Sequence, residues 1–223
     1  MASADRYDRQ IRHWGRTVQQ RIEKSTVLVA GVGGLGTTVS QLLARAGVGK
    51  LILVDNGTID WPDLNRQLLY TEKDVGRRKL DIAAERLREI NSATQLERLN
   101  GPIDSTFALS GQTLLAADCL DNYAARFALA DALPEGGFLV HGGLAGDQGQ
   151  VLTLHKGRSR PLQEIFAGLE QPTESIPATG AGAVVIAGLM VNELCNLIAG
   201  QPQLLDRFLI ISLNDLNVSF LDV

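Results

Sequence analysis

The run Gly31-Val32-Gly33-Gly34-Leu35-Gly36 constrains the fold of this chain more than any other stretch. It fits G-x-G-x-x-G and stands between two readable elements. Before it, Thr26-Val27-Leu28-Val29-Ala30 is a β-branched and aliphatic run that stops at glycine, the pattern of a fully buried parallel strand. After it, Gly34 to Ala46 reads as a helix, with Leu35, Val39, Leu42, Leu43 and Ala46 at helical spacing. Lys50 to Asp55 is a second buried strand and completes a β-α-β unit within about 30 residues. The glycines at Gly31, Gly33, Gly34 and Gly36 permit a tight turn and close backbone approach. The helix N-terminus then offers free N–H groups and a partial positive charge to phosphate. Asp55 ends the second strand, where an acidic side chain can hold ribose hydroxyls. On this pattern alone a dinucleotide oxidoreductase leads, and a glycine-rich turn without any ligand stays open.

The rest of the chain continues the alternation. Arg78 to Asn91 predicts an amphipathic helix, Leu96 to Leu99 a strand, Thr113 to Cys119 another, and Tyr123 to Leu133 a helix. Phe138 to His141 and Gln150 to His155 read as two further strands, the second antiparallel. Gly157 to Pro177 is polar and proline-bearing, a crossover loop with one short helix near Leu162 to Leu169. Gly180 to Ile198 is apolar nearly all round and predicts a buried helix. Phe208 to Leu213 and Val218 to Val223 close the chain as strands around a tight turn at Asn214-Asp215. No internal repeat or Gly/Ser linker divides the chain. The expected architecture is one α/β domain over residues 1–223: a Rossmann-like, mostly parallel sheet flanked by helices, with antiparallel C-terminal strands. Residues 1–24 form an N-terminal arm in this reading, and residues 157–179 the crossover loop.

Bulk properties exclude several classes. A net charge of −4 gives no general attraction to nucleic acid or anionic lipid. Two cysteines, Cys119 and Cys195, make no disulfide framework and point to a reducing compartment. Met1 to Arg12 is charged and lacks an apolar signal core. The most apolar window, Ala181 to Ala199, is interrupted by Asn192, Glu193 and Asn196. A soluble, cytoplasmic protein without membrane or nucleic-acid partners is expected.

Four further blocks shift the reading away from nicotinamide chemistry. Arg6-Tyr7-Asp8-Arg9-Gln10 precedes the first strand, and Asp63-Leu64-Asn65-Arg66-Gln67 follows the second. Gly76-Arg77-Arg78-Lys79 leads into the amphipathic helix, and Asp118-Cys119-Leu120-Asp121-Asn122 ends a strand. A nicotinamide enzyme has no need of two Arg-Gln pairs and a lysine around one phosphate site, whereas a triphosphate does. Arginine and lysine neutralise phosphates, and a carboxylate at a strand end can hold Mg²⁺ through oxygen.

These blocks, in this order, resemble the ThiF/MoeB/HesA family of ubiquitin-activating-enzyme-like adenylyltransferases. The resemblance runs from Arg6 to about Val223 and is weakest from Gly157 to Thr179. It implies ATP- and Mg²⁺-dependent adenylation of the C-terminal Gly-Gly carboxylate of a small ubiquitin-like sulfur-carrier protein, with release of pyrophosphate. It further implies that Gly34 lies under the phosphates and that Asp55 binds the ribose. Asn65, Arg66 and Lys79 are expected to contact phosphates, and Asp121 to bind Mg²⁺ with Asn122 beside it. Arg9 is expected to reach across a homodimer interface to the γ-phosphate of the partner's ATP. Each residue keeps a structural alternative: Arg66 as a solvated loop arginine, Lys79 as an ordinary helix-start lysine, Asp121 as a helix cap, Arg9 as a salt-bridge partner. Position tells against the Lys79 alternative, since a cation is unfavourable at a positive helix end unless phosphate is near.

The chain departs from its resemblance in three places. Asp63 stands where many relatives have asparagine, a change of similar size that is expected to be tolerated. Arg160-Pro161-Leu162-Gln163 occupies a region where relatives carry zinc-binding cysteines, so a Cys₄ zinc site within one chain is not expected. Thr173 to Ser175 stands near the cysteine that some relatives use for sulfur transfer or thioester formation. Cys119, between two aspartates, is expected to have a raised thiol pKa, and Cys195 to be core. His141 reads as a satisfied core histidine, and His13 and His155 have no metal spacing. Two rival functions remain at this stage: a non-catalytic partner subunit of a heterodimeric activating enzyme, and an NAD-dependent oxidoreductase.

Overall fold

The computed structural model of the protein describes residues 6–109, 114–170 and 176–223. Two helices, α1 (Asp8–Trp14) and α2 (Arg16–Lys24), come first, so the expected arm is helical and packed. Then follow β1 (Thr26–Ala30), α3 (Gly34–Ala46) and β2 (Lys50–Asp55), with the predicted bounds. The helix α4 (Lys79–Ile90) and strands β3 (Gln95–Asn100) and β4 (Leu115–Asp118) match their predicted segments. Thr113, where the fourth strand was expected to begin, lies outside the described residues.

The helix α5 (Tyr123–Ala132) leads to β5 (Phe138–Ala145) and β6 (Gln148–His155), which form a longer hairpin than the sequence predicts. Its turn is Gly146-Asp147, with Gly146 at φ 59°. The short helix of the crossover loop, α6, covers only Leu162–Ile165. The last elements are α7 (Gly180–Ala199), β7 (Arg207–Ser212) and β8 (Asn217–Asp222). The turn between these strands takes four residues, since Ser212 pairs with Asn217, and Leu216 sits at φ 58°.

Among the described residues eight strands form one sheet in the order β3-β2-β1-β4-β5-β6-β7-β8. Strands β1 to β5 pair parallel, and β6, β7 and β8 are antiparallel to their neighbours. The strand order reverses at β1 and β4, the switch point where open α/β sheets bind ligands. One apolar cluster fills the face covered by α2, α3, α4 and α7. A second, smaller cluster fills the face under α5 and α6.

The helix α7 is long and apolar enough to pass as a membrane span by composition. In the fold, Ile186, Met190 and Leu194 are fully buried in the sheet core. Only part of its surface is covered, for Val184 and Val185 are each 40% exposed. Glu193, which interrupts the apolar window, is itself buried. Its carboxylate accepts from the backbone N–H groups of Gln203 (2.9 Å) and Leu204 (2.8 Å), tying α7 to the segment that leads into β7. A buried carboxylate satisfied in this way fixes the helix in place.

Candidate active site

The C-terminal tips of β1, β2 and β4 open onto a cleft of about 1330 Å³. It brings together Gly31, Gly33, Gly34, Asp55, Arg66, Lys79, Asp121 and Asn122. Three predicted members, Gly36, Asn65 and Arg9, do not line it. Gly36 is buried in the turn, where a Cβ would overlap the Gly31 carbonyl oxygen, so its role is close packing. Asn65 is exposed beside the cleft, and its Oδ1 accepts from Arg66 Nη1 at 2.9 Å. It orients the arginine rather than facing the cleft.

The glycine turn is held at one residue, through the peptide on each side of it. Asp55 Oδ2 accepts from the Val32 N–H at 2.7 Å, and Tyr70 donates its hydroxyl to the Val32 carbonyl at 2.8 Å. Asp55 Oδ1 accepts from the Gly57 N–H at 2.7 Å. Each carboxylate oxygen retains lone-pair capacity toward the cleft. Arg66 lies over Gly34, since a Cβ there would come within 3.4 Å of its Cδ and Cγ. Its Nη1 also donates to the Pro62 carbonyl at 2.7 Å, which anchors the guanidinium beside the cleft.

Lys79 is the first residue of α4, the position that would disfavour a cation without a nearby anion. Asp63 supplies that anion, with Oδ2 3.2 Å from Lys79 Nζ. Asp63 is therefore more than a tolerated replacement. Across the cleft Asn122 caps α5, its Oδ1 accepting from the Ala125 N–H at 2.8 Å. The capping alternative considered for Asp121 thus belongs to its neighbour. Asp121 is exposed, and its Oδ1 accepts from Asn122 Nδ2 at 3.2 Å.

Beneath Asp121 lies a buried network that the motifs do not reveal. Asp118 is fully buried and accepts from Arg126 Nη1 (2.9 Å), His141 Nδ1 (2.8 Å) and the Leu120 N–H (3.1 Å). Arg126 also donates to the carbonyls of Gly142 (2.9 Å) and Leu120. Burial works against the Asp118 charge, but the Arg126 guanidinium and the His141 bond outweigh it and hold the carboxyl below its usual range. For His141, burial and then the Arg126 charge lower the pKa and keep the ring neutral. Its Nε2 meets Gln150 Nε2 at 3.1 Å, so both ring nitrogens are engaged, as a core histidine requires. The signal was present in the sequence: an aspartate inside an apolar strand and an arginine inside an apolar helix demand partners when buried. Arg126 and Asp121 also border a second, smaller cavity of about 240 Å³, with His141, Gln150 and Phe166 in its wall.

Neither cysteine has the surroundings of a nucleophile. Cys119 is buried, and burial raises its pKa more than the Asp118 charge does, a different order of causes from the sequence reading. Burial alone pushes Cys195 up to about 11. Thr173 to Ser175, near the expected cysteine position, lie outside the described residues. Arg9 is exposed on α1 and makes no hydrogen bond or ion pair among the described residues, which leaves the salt-bridge alternative without a partner there. Its helix is stapled to the far end of α3: Gln10 Nε2 donates to the Ala46 carbonyl at 2.8 Å, and the Tyr7 ring packs on Gly47. The 13-residue α3 separates that end from Gly34 by about 20 Å.

Residues 7–223 match the ThiF family. Protein HesA, heterocyst, of Trichormus variabilis is 35% identical over 219 residues, covering 94% of this chain and 81% of its own length. The sulfur carrier protein adenylyltransferase of Thermus thermophilus is 31% identical, covering 88% of this chain and 78% of its own length. The fold of E. coli MccB, solved with ATP, superposes with a TM-score of 0.85 at 22% identity over 99% of this chain and 72% of that one. On the family match, the sequence relatives and the shared fold, the chain belongs to the ThiF family and is an enzyme of its adenylyltransferase kind.

Proposed function

We propose that the cleft binds ATP with Mg²⁺ and adenylates the C-terminal carboxylate of a small ubiquitin-like protein ending in Gly-Gly. The observation that carries this reading is the pair Arg66 and Lys79 set beside the glycine turn, with Asp55 on one side and Asp121 on the other. A single nucleotide diphosphate bridge would not require two cations at one end of the turn. A triphosphate would use both. Asp55, fixed by two backbone N–H groups, would hold ribose hydroxyls.

Asp121 suits a hard cation, being exposed with one carboxylate oxygen in no hydrogen bond among the described residues. When bound, Mg²⁺ supplies charge neutralisation at the phosphates. In the reaction a substrate carboxylate oxygen bonds to the α-phosphorus, the bond to the bridging oxygen breaks, and pyrophosphate leaves. The chain's part is to position and to neutralise. Arg66 and Lys79 would hold the departing phosphates. The smaller cavity adjoining Asp121 and Arg126 gives a slender extended tail room to approach.

Arg9 would serve the partner's cleft in a homodimer, since about 20 Å of α3 separates the anchor of its own helix from its own glycine turn. The same reading places the chain in the cytoplasm, in keeping with two free cysteines. ATP–pyrophosphate exchange with purified Gly-Gly-ended carrier proteins tests the proposal. Exchange that depends on one such carrier and on Mg²⁺ supports it. ATP binding without exchange with any carrier would favour a partner-subunit role, and NADH binding without ATP binding would refute it.

A further inference from the structure

Lys79 already has an anion. Its Nζ lies 3.2 Å from Asp63 Oδ2, and the two side chains are only 15% and 14% exposed. The other carboxylate oxygen accepts from Gln67 Nε2 at 2.5 Å and stands 3.8 Å from Arg66 Nη2. Asp63 therefore faces both phosphate-side cations and lines the cleft itself. It is also fixed in place. Oδ2 accepts from the Asp60 N–H at 3.1 Å, closing a capping box around the 3-10 turn Trp61–Asp63. A carboxylate pinned to the backbone cannot swing out of the cleft when a second anion arrives. A phosphate oxygen that bonds Lys79 must share the ammonium with Asp63, and like charges then come close.

We propose that Asp63 is a resident anion that sets the cleft's affinity for phosphate. It offsets one of the two positive charges of Lys79 and Arg66 before nucleotide binds, and it opposes an incoming ligand in proportion to that ligand's phosphate charge. The inference rests on the reading of the cleft as a nucleotide site. Asp63 is on this account a specificity-determining residue that weakens triphosphate binding and leaves the nucleoside end untouched. A divalent cation on the phosphates offsets part of the repulsion, so the effect is larger without Mg²⁺ than with it.

The test removes the charge and keeps the shape. Asp63→Asn retains an oxygen that can accept from the Asp60 N–H, and Asp63→Ser offers a second neutral acceptor. Dissociation constants are measured by calorimetry for adenosine, AMP, ATP and inorganic tripolyphosphate, with and without Mg²⁺. Thermal unfolding of each variant reports whether it is folded. The expected result is ATP and tripolyphosphate binding tightened on the order of fivefold to tenfold, AMP less, and adenosine not at all. Weaker ATP binding in both folded variants would overturn the proposal and make Asp63 an orienting partner or a metal ligand. An equal change for adenosine and ATP would overturn it too. If the wild-type chain bound neither ATP nor tripolyphosphate, the nucleotide reading itself would fall before any variant was measured.

Discussion

In β1 the residues Val27, Leu28, Val29 and Ala30 are wholly buried, whereas in β8 all six residues are exposed. Both strands belong to one sheet, yet they do different work. A strand covered on both faces by helices has only its tips in contact with solvent. At the C-terminal tip of β1 the chain has its glycine turn, and at that of β2 it has Asp55. This end offers backbone N–H groups and the side chains that later loops bring in. At the other end, Val218, Phe220 and Leu221 stand out from an edge strand, and Arg207 lies over the Phe220 ring at 4.3 Å. There the sheet is a surface. The Asp118–Arg126–His141 network sits at the seam, on β4, α5 and β5.

The most severe test of this division is at the seam. Arg126→Leu strips the fully buried Asp118 of its cation and should cost about 3–5 kcal/mol, read by urea unfolding. A loss below about 1 kcal/mol would mean that the two ends are not joined through this network. Next in size are the cleft residues. Lys79→Ala and Asp121→Ala should each lower ATP–pyrophosphate exchange about 100- to 1000-fold while leaving the unfolding midpoint nearly unchanged. Rates within twofold of wild type in both would remove function from the parallel end.

Acid should act at the seam before it acts elsewhere. His141 has a lowered pKa in the fold, so the unfolded chain binds the proton first, and stability falls as pH drops below about 6.5. Asp118, also lowered, adds a second loss in the carboxylate range, where only the unfolded state is protonated. Thermal unfolding against pH should show both steps, and His141→Gln should flatten the upper one. A profile level from pH 7 to pH 5 would contradict the neutral assignment.

A smaller effect is expected from subunit mixing. In the proposed homodimer, Arg9→Ala and Lys79→Ala, each inactive alone, should recover about a quarter of wild-type exchange when mixed, because a random half of the dimers would carry one intact site of two. Exchange of subunits without recovery would place Arg9 in its own chain's site, or outside catalysis altogether. The smallest effect belongs to the exposed end. Val218→Ser should change stability by less than about 0.5 kcal/mol and leave ATP affinity alone. A drop in carrier-dependent activity with ATP affinity intact would instead give the β8 surface a part in carrier recognition.

Local patterns in the sequence carried most of the fold. The bounds of β1, α3 and β2 follow from a buried run, a glycine turn and helical spacing, all of which are short-range. Placement in the cleft was legible where it depends on a residue's own position along the chain, as for Asp55 or Lys79. It was not legible where the partner comes from far away. Tyr70 meets the Val32 carbonyl across 38 positions, and Arg126 reaches Gly142 across 16. The exchange of capping duty between Asp121 and Asn122 depends on a one-residue choice of helix start, which spacing alone does not fix. Gly36 and Asn65 were assigned to the ligand because their motifs face it as a whole. In the fold, one serves packing and the other serves Arg66.

The place of β1 in the sheet has a consequence for the order of assembly. Its first neighbour, β2, follows after the single crossover helix α3, with Thr26 against Lys50. Its second, β4, arrives much later, with Leu28 against Ala116. Gly31 packs against the backbone of Cys119, and the Cys119 N–H donates to the Ala30 carbonyl at 2.9 Å. The glycine turn therefore has one wall early in synthesis and the other only after β4 has been made. Such a long-range closure is slow relative to the local β-α-β unit. A nascent chain that ends before Leu115 would hold the whole G-x-G-x-x-G run and still lack the far side of its pocket.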